Sequence, residues 1–256
     1  MNTLRINLVQ ARLHWRDPEK NRIHLAELIA GSEPADLHVV PETFTTGFLG
    51  ETEAHDEDMS GQTVAWLHNT ASKAQAAICG SAVITDAAGR RNRWLLAAPD
   101  GQLHHYDKRH LFSFAGEDQR YVAGRKRVVI EYENWRICPQ ICYDLRFPVW
   151  TRNRNDYDLL IFVANWPAPR ISAWDNLLRA RAIENQCYVI GVNCVGEDGR
   201  GTAYPGHSAC YGPLGEDIIE PWGEEGVRQA SINLERVREI RKDFPFAAEA
   251  DDFLLS

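Results

Sequence analysis

Apolar residues along this chain fall into short runs separated by polar exits, and the runs follow two different periods. Leu4 to Val9 reads as a strand. Asn21 to Ile29 spaces Ile23, Leu25, Ala26, Leu28 and Ile29 along one face of an amphipathic helix, and Gly31 to Pro34 stops it. Leu37 to Val40 is a second short strand, closed by Pro41-Glu42-Thr43. The opening order of strand, helix, strand fits a layered α/β fold. The pattern then predicts a helix at Thr63 to Gln75 and a strand at Ala77 to Thr85. Arg93 to Ala98 and Leu103 to Tyr106 bracket the turn Asp100-Gly101. Phe44 to Glu57 and Leu111 to Gly124 read as irregular loops. Val128 to Glu131 and Trp135 to Ile141 flank a turn at Glu133-Asn134. The strand, helix, strand order returns with Asp158 to Ala164, Trp174 to Gln186 and Cys187 to Asn193. His207 to Tyr211 and Ala230 to Ile232 are short strands, and Leu234 to Ile240 starts a last helix. Two segments with similar endings predict two related halves around one core.

Length and composition sharpen this picture. A chain of 256 residues with 44% hydrophobic residues supports one sizeable core, so residues 1–256 are expected to form a single domain. The net charge of -8 argues against nucleic-acid binding through phosphates, which needs a concentrated basic surface. Six cysteines, at 79, 138, 142, 187, 194 and 210, are too few for a disulfide framework, and four lie inside apolar runs. No run of about 18 apolar residues predicts a membrane span, and MNTLRINLVQ lacks the build of a signal peptide. A cytoplasmic setting is the simplest expectation. Cys138 and Cys142 are close in sequence, but no second cysteine pair and no HExxH accompany them, so neither a metal nor another cofactor is predicted. A phosphate-binding glycine loop and a GxSxG elbow are also absent.

The chemistry centres on Trp135 to Trp150, WRICPQICYDLRFPVW. An apolar run delivers Cys142 to a junction where polar residues and Pro148 suggest a helix start, whose free amides would favour a thiolate. Pro139 suits an edge or a bulge better than a central strand. A single cysteine in an apolar run is more often packing than chemistry. Yet Glu42, Lys108, Cys142 and Asn165 all stand just past apolar strand runs, where open α/β sheets build sites. The set makes chemical sense together. A cysteine nucleophile needs a base. A carboxylate can serve as base and then as acid. A fixed lysine, helped by the amide of Tyr143, can stabilise an oxyanion. Such a set would attack an amide, release ammonia and hydrolyse the resulting thioester.

The segments VVPETFTTGF (39 to 48), YDKRHLF (106 to 112), ICYDLRFPVW (141 to 150), FVANWP (162 to 167), RARAIENQCYVIGVN (179 to 193) and GHSACYGPLGE (206 to 216) together resemble the nitrilase superfamily of carbon-nitrogen hydrolases, most of all its bacterial omega-amidase branch. The resemblance implies a four-layer α-β-β-α sandwich, commonly a homodimer. It puts the catalytic glutamate on Glu42, the lysine on Lys108, the nucleophile on Cys142 and a second glutamate on Glu117. It also implies a substrate with a terminal carboxamide and a 2-oxo acid at the other end, such as 2-oxoglutaramate or 2-oxosuccinamate. Arg146 is the candidate grip on the remote carboxylate, with an internal ion pair to Asp144 or another acid as the alternative. Phe44 and Trp166 are candidate pocket walls, with core packing as the alternative for each. The competing functions are an amidase for deaminated glutathione or another short acidic amide, and a catalytically silent binding scaffold.

Overall fold

The computed structural model describes residues 2–49 and 57–254. The first half of the chain supplies β1 (Thr3–Gln10), β2 (Leu37–Val39), β3 (Ala77–Asp86), β4 (Gly89–Ala97) and β5 (Leu103–Asp107). The second supplies β6 (Ile130–Tyr132), β7 (Trp135–Ile141), β8 (Leu159–Ala164) and β9 (Tyr188–Asn193). After a small ribbon of β10 (Val195–Glu197) and β11 (Ala203–Pro205) come β12 (Ser208–Tyr211), β13 (Asp217–Trp222) and β14 (Gly226–Asn233). Among the described residues these form two six-stranded sheets, ordered β14-β1-β2-β3-β4-β5 and β13-β12-β9-β8-β7-β6. The helices are α1 (Pro18–Ala30), α2 (Gln62–Ala74), α3 (Pro148–Thr151), α4 (Ile171–Asn185) and α5 (Leu234–Asp243).

The two-residue period of each strand sorts its side chains between layers. In β8, Leu159, Ile161 and Val163 face a core shared with Leu4, Ile6, Leu8 and Val39 of the other sheet. Their neighbours Leu160, Phe162 and Ala164 pack with Trp174, Leu178 and Ala182 of α4. On the far side, Val9, Ile78 and Leu95 pack with Leu25 and Ile29 of α1 and Leu67 of α2. Central strands buried on both faces therefore read as unbroken apolar runs. The order of layers is helix, sheet, sheet, helix, the sandwich expected from the sequence.

Three departures from the sequence reading have local causes. Helix α1 begins at Pro18, because Asp17 caps it by accepting from the Lys20 amide at 3.1 Å. Its first turn is polar and so lay outside the apolar period. Strand β14 pairs with β1 over eight residues, although only Ala230 and Ile232 announce it, because the strand forms a sheet edge with exposed alternate positions. Pro139 lies inside β7, an interior strand. There β8 is its partner, while β6 pairs only as far as Ile137. The proline therefore occupies a position with one neighbouring strand, which is the local condition for tolerating its missing donor.

Candidate active site

Four segments that leave the carboxyl ends of strands converge between the sheets. In the first sheet β2 and β5 run the same way, and Glu42 and Lys108 follow them. In the second, parallel β7 and β8 are followed by Cys142 and Asn165. The Glu42 segment is stitched along β3: the Val40 amide donates to the Cys79 carbonyl at 2.7 Å, and the Thr43 amide to Ser81 Oγ at 2.9 Å. Gly80 permits this approach, since a Cβ there would lie 2.3 Å from Val40 Cγ2 and 2.9 Å from the Val40 carbonyl oxygen.

Glu42, Lys108 and Glu117 form a buried ionic cluster, none more than 1% exposed. Lys108 Nζ donates to Glu42 Oε1 at 2.9 Å and to both Glu117 oxygens at 3.0 Å. Asn92 Nδ2 donates to Glu42 Oε1 at 2.8 Å and to Glu117 Oε1 at 3.4 Å. Glu42 Oε2 accepts the Asn165 amide at 2.8 Å, tying the first sheet to the second. Glu117 Oε2 accepts the Phe112 amide at 2.6 Å. Burial alone would pull the Lys108 ammonium down, but the charges of Glu117 and then Glu42 outweigh it and hold its pKa well above the ordinary lysine value. Lys108 is a permanent cation here.

Cys142 belongs to the same cluster. Burial first, then the Glu42 charge, push its thiol well above the ordinary cysteine value, against the pull of Lys108. This corrects the expectation of a resting thiolate. No α-helix starts at Cys142: it opens a short 3-10 turn, Cys142–Arg146, and α3 begins only at Pro148. Cys142 is therefore held as a thiol in the field of the Glu42 carboxylate. Cys142 has φ +45° and Thr43, next to Glu42, has φ +41°, so left-handed backbone flanks both groups. Such strained positions cluster where a site must hold side chains at fixed angles.

Asp144 fixes the turn that carries Cys142. Its Oδ1 accepts the His110 amide at 2.9 Å and lies 2.8 Å from His110 Nδ1; its Oδ2 accepts Tyr106 Oη–H at 2.9 Å and the Ile141 amide at 3.1 Å. The Cys142 turn is thereby locked to the segment bearing Lys108. It also rules out the Asp144–Arg146 ion pair. The Arg146 guanidinium instead rests over the Trp166 ring, 5.1 Å from its centroid.

A cavity of about 660 Å³ opens over the cluster, with Lys108, Cys142, Tyr143, Arg146, Trp166 and Arg170 in its wall. Phe44 is not in this wall. It is fully buried in the helix-side core, 5.4 Å from the Trp66 ring, so its role as a pocket wall is withdrawn. The two irregular loops reach this wall through Phe48, from residues 44–57, and through Phe112 and Ala115, from residues 111–124; residues 50–56 lie outside the described residues. Among the described residues no group of three or more His, Cys, Asp or Glu side chains is arranged to hold a metal ion.

Asn92 escaped the sequence reading because the predicted strand began one residue later and nothing in RRNRWLL marks one polar side chain above the rest. Among the described residues its Oδ1 is buried without a partner, while its Nδ2 serves the two carboxylates. A buried unpaired acceptor costs about 1–3 kcal/mol, so this residue is placed for the cluster and not for stability. Asn92→Ala is expected to lower kcat about ten- to hundredfold, the equivalent of one hydrogen bond to a charged group. KM and the melting temperature should change little. A large drop in melting temperature in step with the lost activity would assign Asn92 to the fold alone.

Comparison with known proteins agrees with the architecture. Residues 5–242 match the carbon-nitrogen hydrolase family model. The chain is 45% identical to an omega-amidase of Escherichia coli (strain K12) over 256 residues, covering 100% of both. It is 35% identical to a 2-oxoglutaramate amidase of Bacillus subtilis (strain 168), covering 94% of this chain and 95% of the relative. A CN-hydrolase superfamily protein from Xanthomonas campestris, solved with an arsenic adduct in its active site, superposes with a TM-score of 0.97 at 47% identity and 100% coverage of both chains.

Proposed function

The chain belongs to the carbon-nitrogen hydrolase family, and from that premise we propose that it is an omega-amidase. Its substrates are 2-oxo dicarboxylic acid monoamides such as 2-oxoglutaramate and 2-oxosuccinamate; its products are the 2-oxo dicarboxylate and ammonia. The observation that carries this reading is a half-buried thiol at the floor of a cavity that holds Arg146, beside a buried carboxylate and the ammonium bonded to it. Similarity to an omega-amidase and to a 2-oxoglutaramate amidase supports the same substrate class.

Glu42 takes the Cys142 proton as the sulfur attacks the amide carbon, and the carbonyl pair moves onto oxygen. Lys108 and the Tyr143 amide stabilise that oxyanion. Glu117 and Asn92 hold Lys108 and Glu42 in register. When the oxyanion collapses, the C–N bond breaks, Glu42 returns its proton to nitrogen, and ammonia leaves a thioester on Cys142. Glu42 then takes a proton from water, which attacks the thioester. The C–S bond breaks and the sulfur recovers its proton. The cluster starts and ends each half-reaction with the same net charge, so no step leaves a new buried charge unpaired.

Arg146 grips the carboxylate at the remote end of the substrate. Its fork matches that group bidentately, and the Trp166 ring holds the guanidinium in the cavity wall. Arg146→Met is expected to lower kcat/KM for acidic amides about a hundredfold, and for a neutral aliphatic amide far less. An equal loss on both would make its role structural. The reading also has the enzyme cytoplasmic and homodimeric. Its free cysteines support the first, and two exposed apolar side chains, Ile183 of α4 and Leu214 beside Gly215, which lies against Ile183, support the second. Sedimentation analysis tests the dimer. The test of the function is a steady-state comparison of 2-oxoglutaramate, 2-oxosuccinamate, deaminated glutathione, glutamine and a simple aliphatic amide. Preference for the first two is expected, and preference for deaminated glutathione would replace the substrate assignment.

A further inference from the structure

Besides Arg146 the cavity wall carries two guanidinia that nothing above has used; Arg200 is engaged by Asp198 and the Phe48 carbonyl, which leaves Arg170. Arg170 ends a stiff turn, Pro167-Ala168-Pro169-Arg170, just past the Asn165 segment that hydrogen-bonds Glu42. Both ends of its peptide are fixed: its amide donates to the Pro167 carbonyl at 3.0 Å, and its carbonyl accepts Trp166 Nε1–H at 2.7 Å. The side chain lies over the Phe112 ring, 5.1 Å from the centroid. Among the described residues neither Arg170 nor Arg146 has a carboxylate partner for its guanidinium.

The two arginines are built as a pair. Trp166 carries Arg146 on its ring and bonds the Arg170 backbone through its indole N–H. The platforms themselves are anchored to the reacting cluster. The Phe112 amide donates to Glu117 Oε2 at 2.6 Å. Trp166 directly follows Asn165, whose amide donates to Glu42, and its own amide donates to Asn193 Oδ1 at 2.7 Å. Each cation is thus held on an aromatic face whose backbone is set relative to the reacting groups, which reduces the ordering cost of binding an anion.

We propose that Arg170 is a specificity-determining residue that, with Arg146, distinguishes 2-oxo acids from simple acids. The inference rests on the omega-amidase reading of the same site. A plain carboxylate offers two acceptor oxygens, which one guanidinium fork satisfies. A 2-oxo acid offers a third, on the neighbouring carbon, and one fork does not reach all three. A second guanidinium in the same wall takes up that oxygen. An amide lacking the 2-oxo group leaves Arg170 with nothing to bind but water, so the difference in affinity arises there.

The experiment compares wild type, Arg170→Met and Arg170→Lys on 2-oxoglutaramate and on glutaric acid monoamide, the same molecule without the 2-oxo group. Wild type is expected to prefer the 2-oxo substrate. Arg170→Met should lose about ten- to hundredfold in kcat/KM on 2-oxoglutaramate and far less on the monoamide, so that the preference collapses. Arg170→Lys, a point charge in place of a fork, should recover part of it. A merely structural residue would lower both substrates alike and leave the ratio where it was. An unchanged ratio in Arg170→Met, with wild type still preferring the 2-oxo substrate, overturns the role of Arg170 and leaves the omega-amidase reading standing. A wild type that does not prefer the 2-oxo substrate overturns both.

Discussion

Cys142→Ala is expected to abolish ammonia release from every amide the protein accepts while leaving it folded. The loss should be on the order of 10⁴-fold or more, because no other group in the cluster can form the acyl intermediate. The other cysteines in the described structure are all buried, and burial pushes Cys79, Cys138, Cys187, Cys194 and Cys210 above the ordinary thiol value. None of them lines the cavity. The fold should tolerate the change. Cys142 is half-buried at a cavity wall, and the ties that shape its turn come from Asp144 and the Ile141 amide, which remain. A coupled ammonia assay beside a thermal melt checks both halves of the expectation. Substantial residual turnover by a folded variant would count against covalent catalysis.

Lys108→Met is expected to remove activity and stability together. Lys108 is the cation between two carboxylates, each within 3.0 Å and all three groups buried. Without it, Glu42 and Glu117 face each other across a low-dielectric site with only the amides of Asn92, Asn165 and Phe112 to oppose their charge. Breaking a buried ion pair from one side costs about 3–5 kcal/mol. The variant's denaturation midpoint should therefore fall well below that of wild type in a thermal or urea melt. An unchanged midpoint would mean the two carboxylates do not depend on Lys108 for compensation. Its catalytic rate should fall by a further factor of roughly 10²–10³ from the lost oxyanion partner.

Much of this was readable in the linear chain, and the reasons differ by element. Strands β7 and β8 are buried along nearly their whole length, so their apolar runs are continuous and their ends sharp. That is why Asn165 and Cys142 could be placed at strand ends before any contact was known. Glu42, Lys108 and Cys142 were legible as a set because each follows such a run and because their types complete one mechanism. Edge strands β13 and β14 were largely hidden, since half of their residues meet water and carry no pattern. The charge state of Cys142 was misread. Sequence shows a turn beginning but not how burial and the nearby Glu42 charge act on the sulfur. Phe44 was misassigned for a related reason: adjacency to Glu42 in sequence does not say which face of the segment a ring occupies. Arg170 and Asn92 act through neighbours far away in the chain, Phe112 for one and Glu42 for the other, and no local spacing encodes such a meeting.

The most direct test is intact-mass analysis of the protein quenched during steady turnover of 2-oxoglutaramate, followed by peptide mapping. The expected result is a fraction of molecules heavier by the substrate less ammonia, with the added mass on the peptide that contains Cys142 and absent from Cys142→Ala. Sustained ammonia release with no acylated species at any quench time, and with the alanine variant still active, would contradict a thioester on Cys142 and the mechanism built on it.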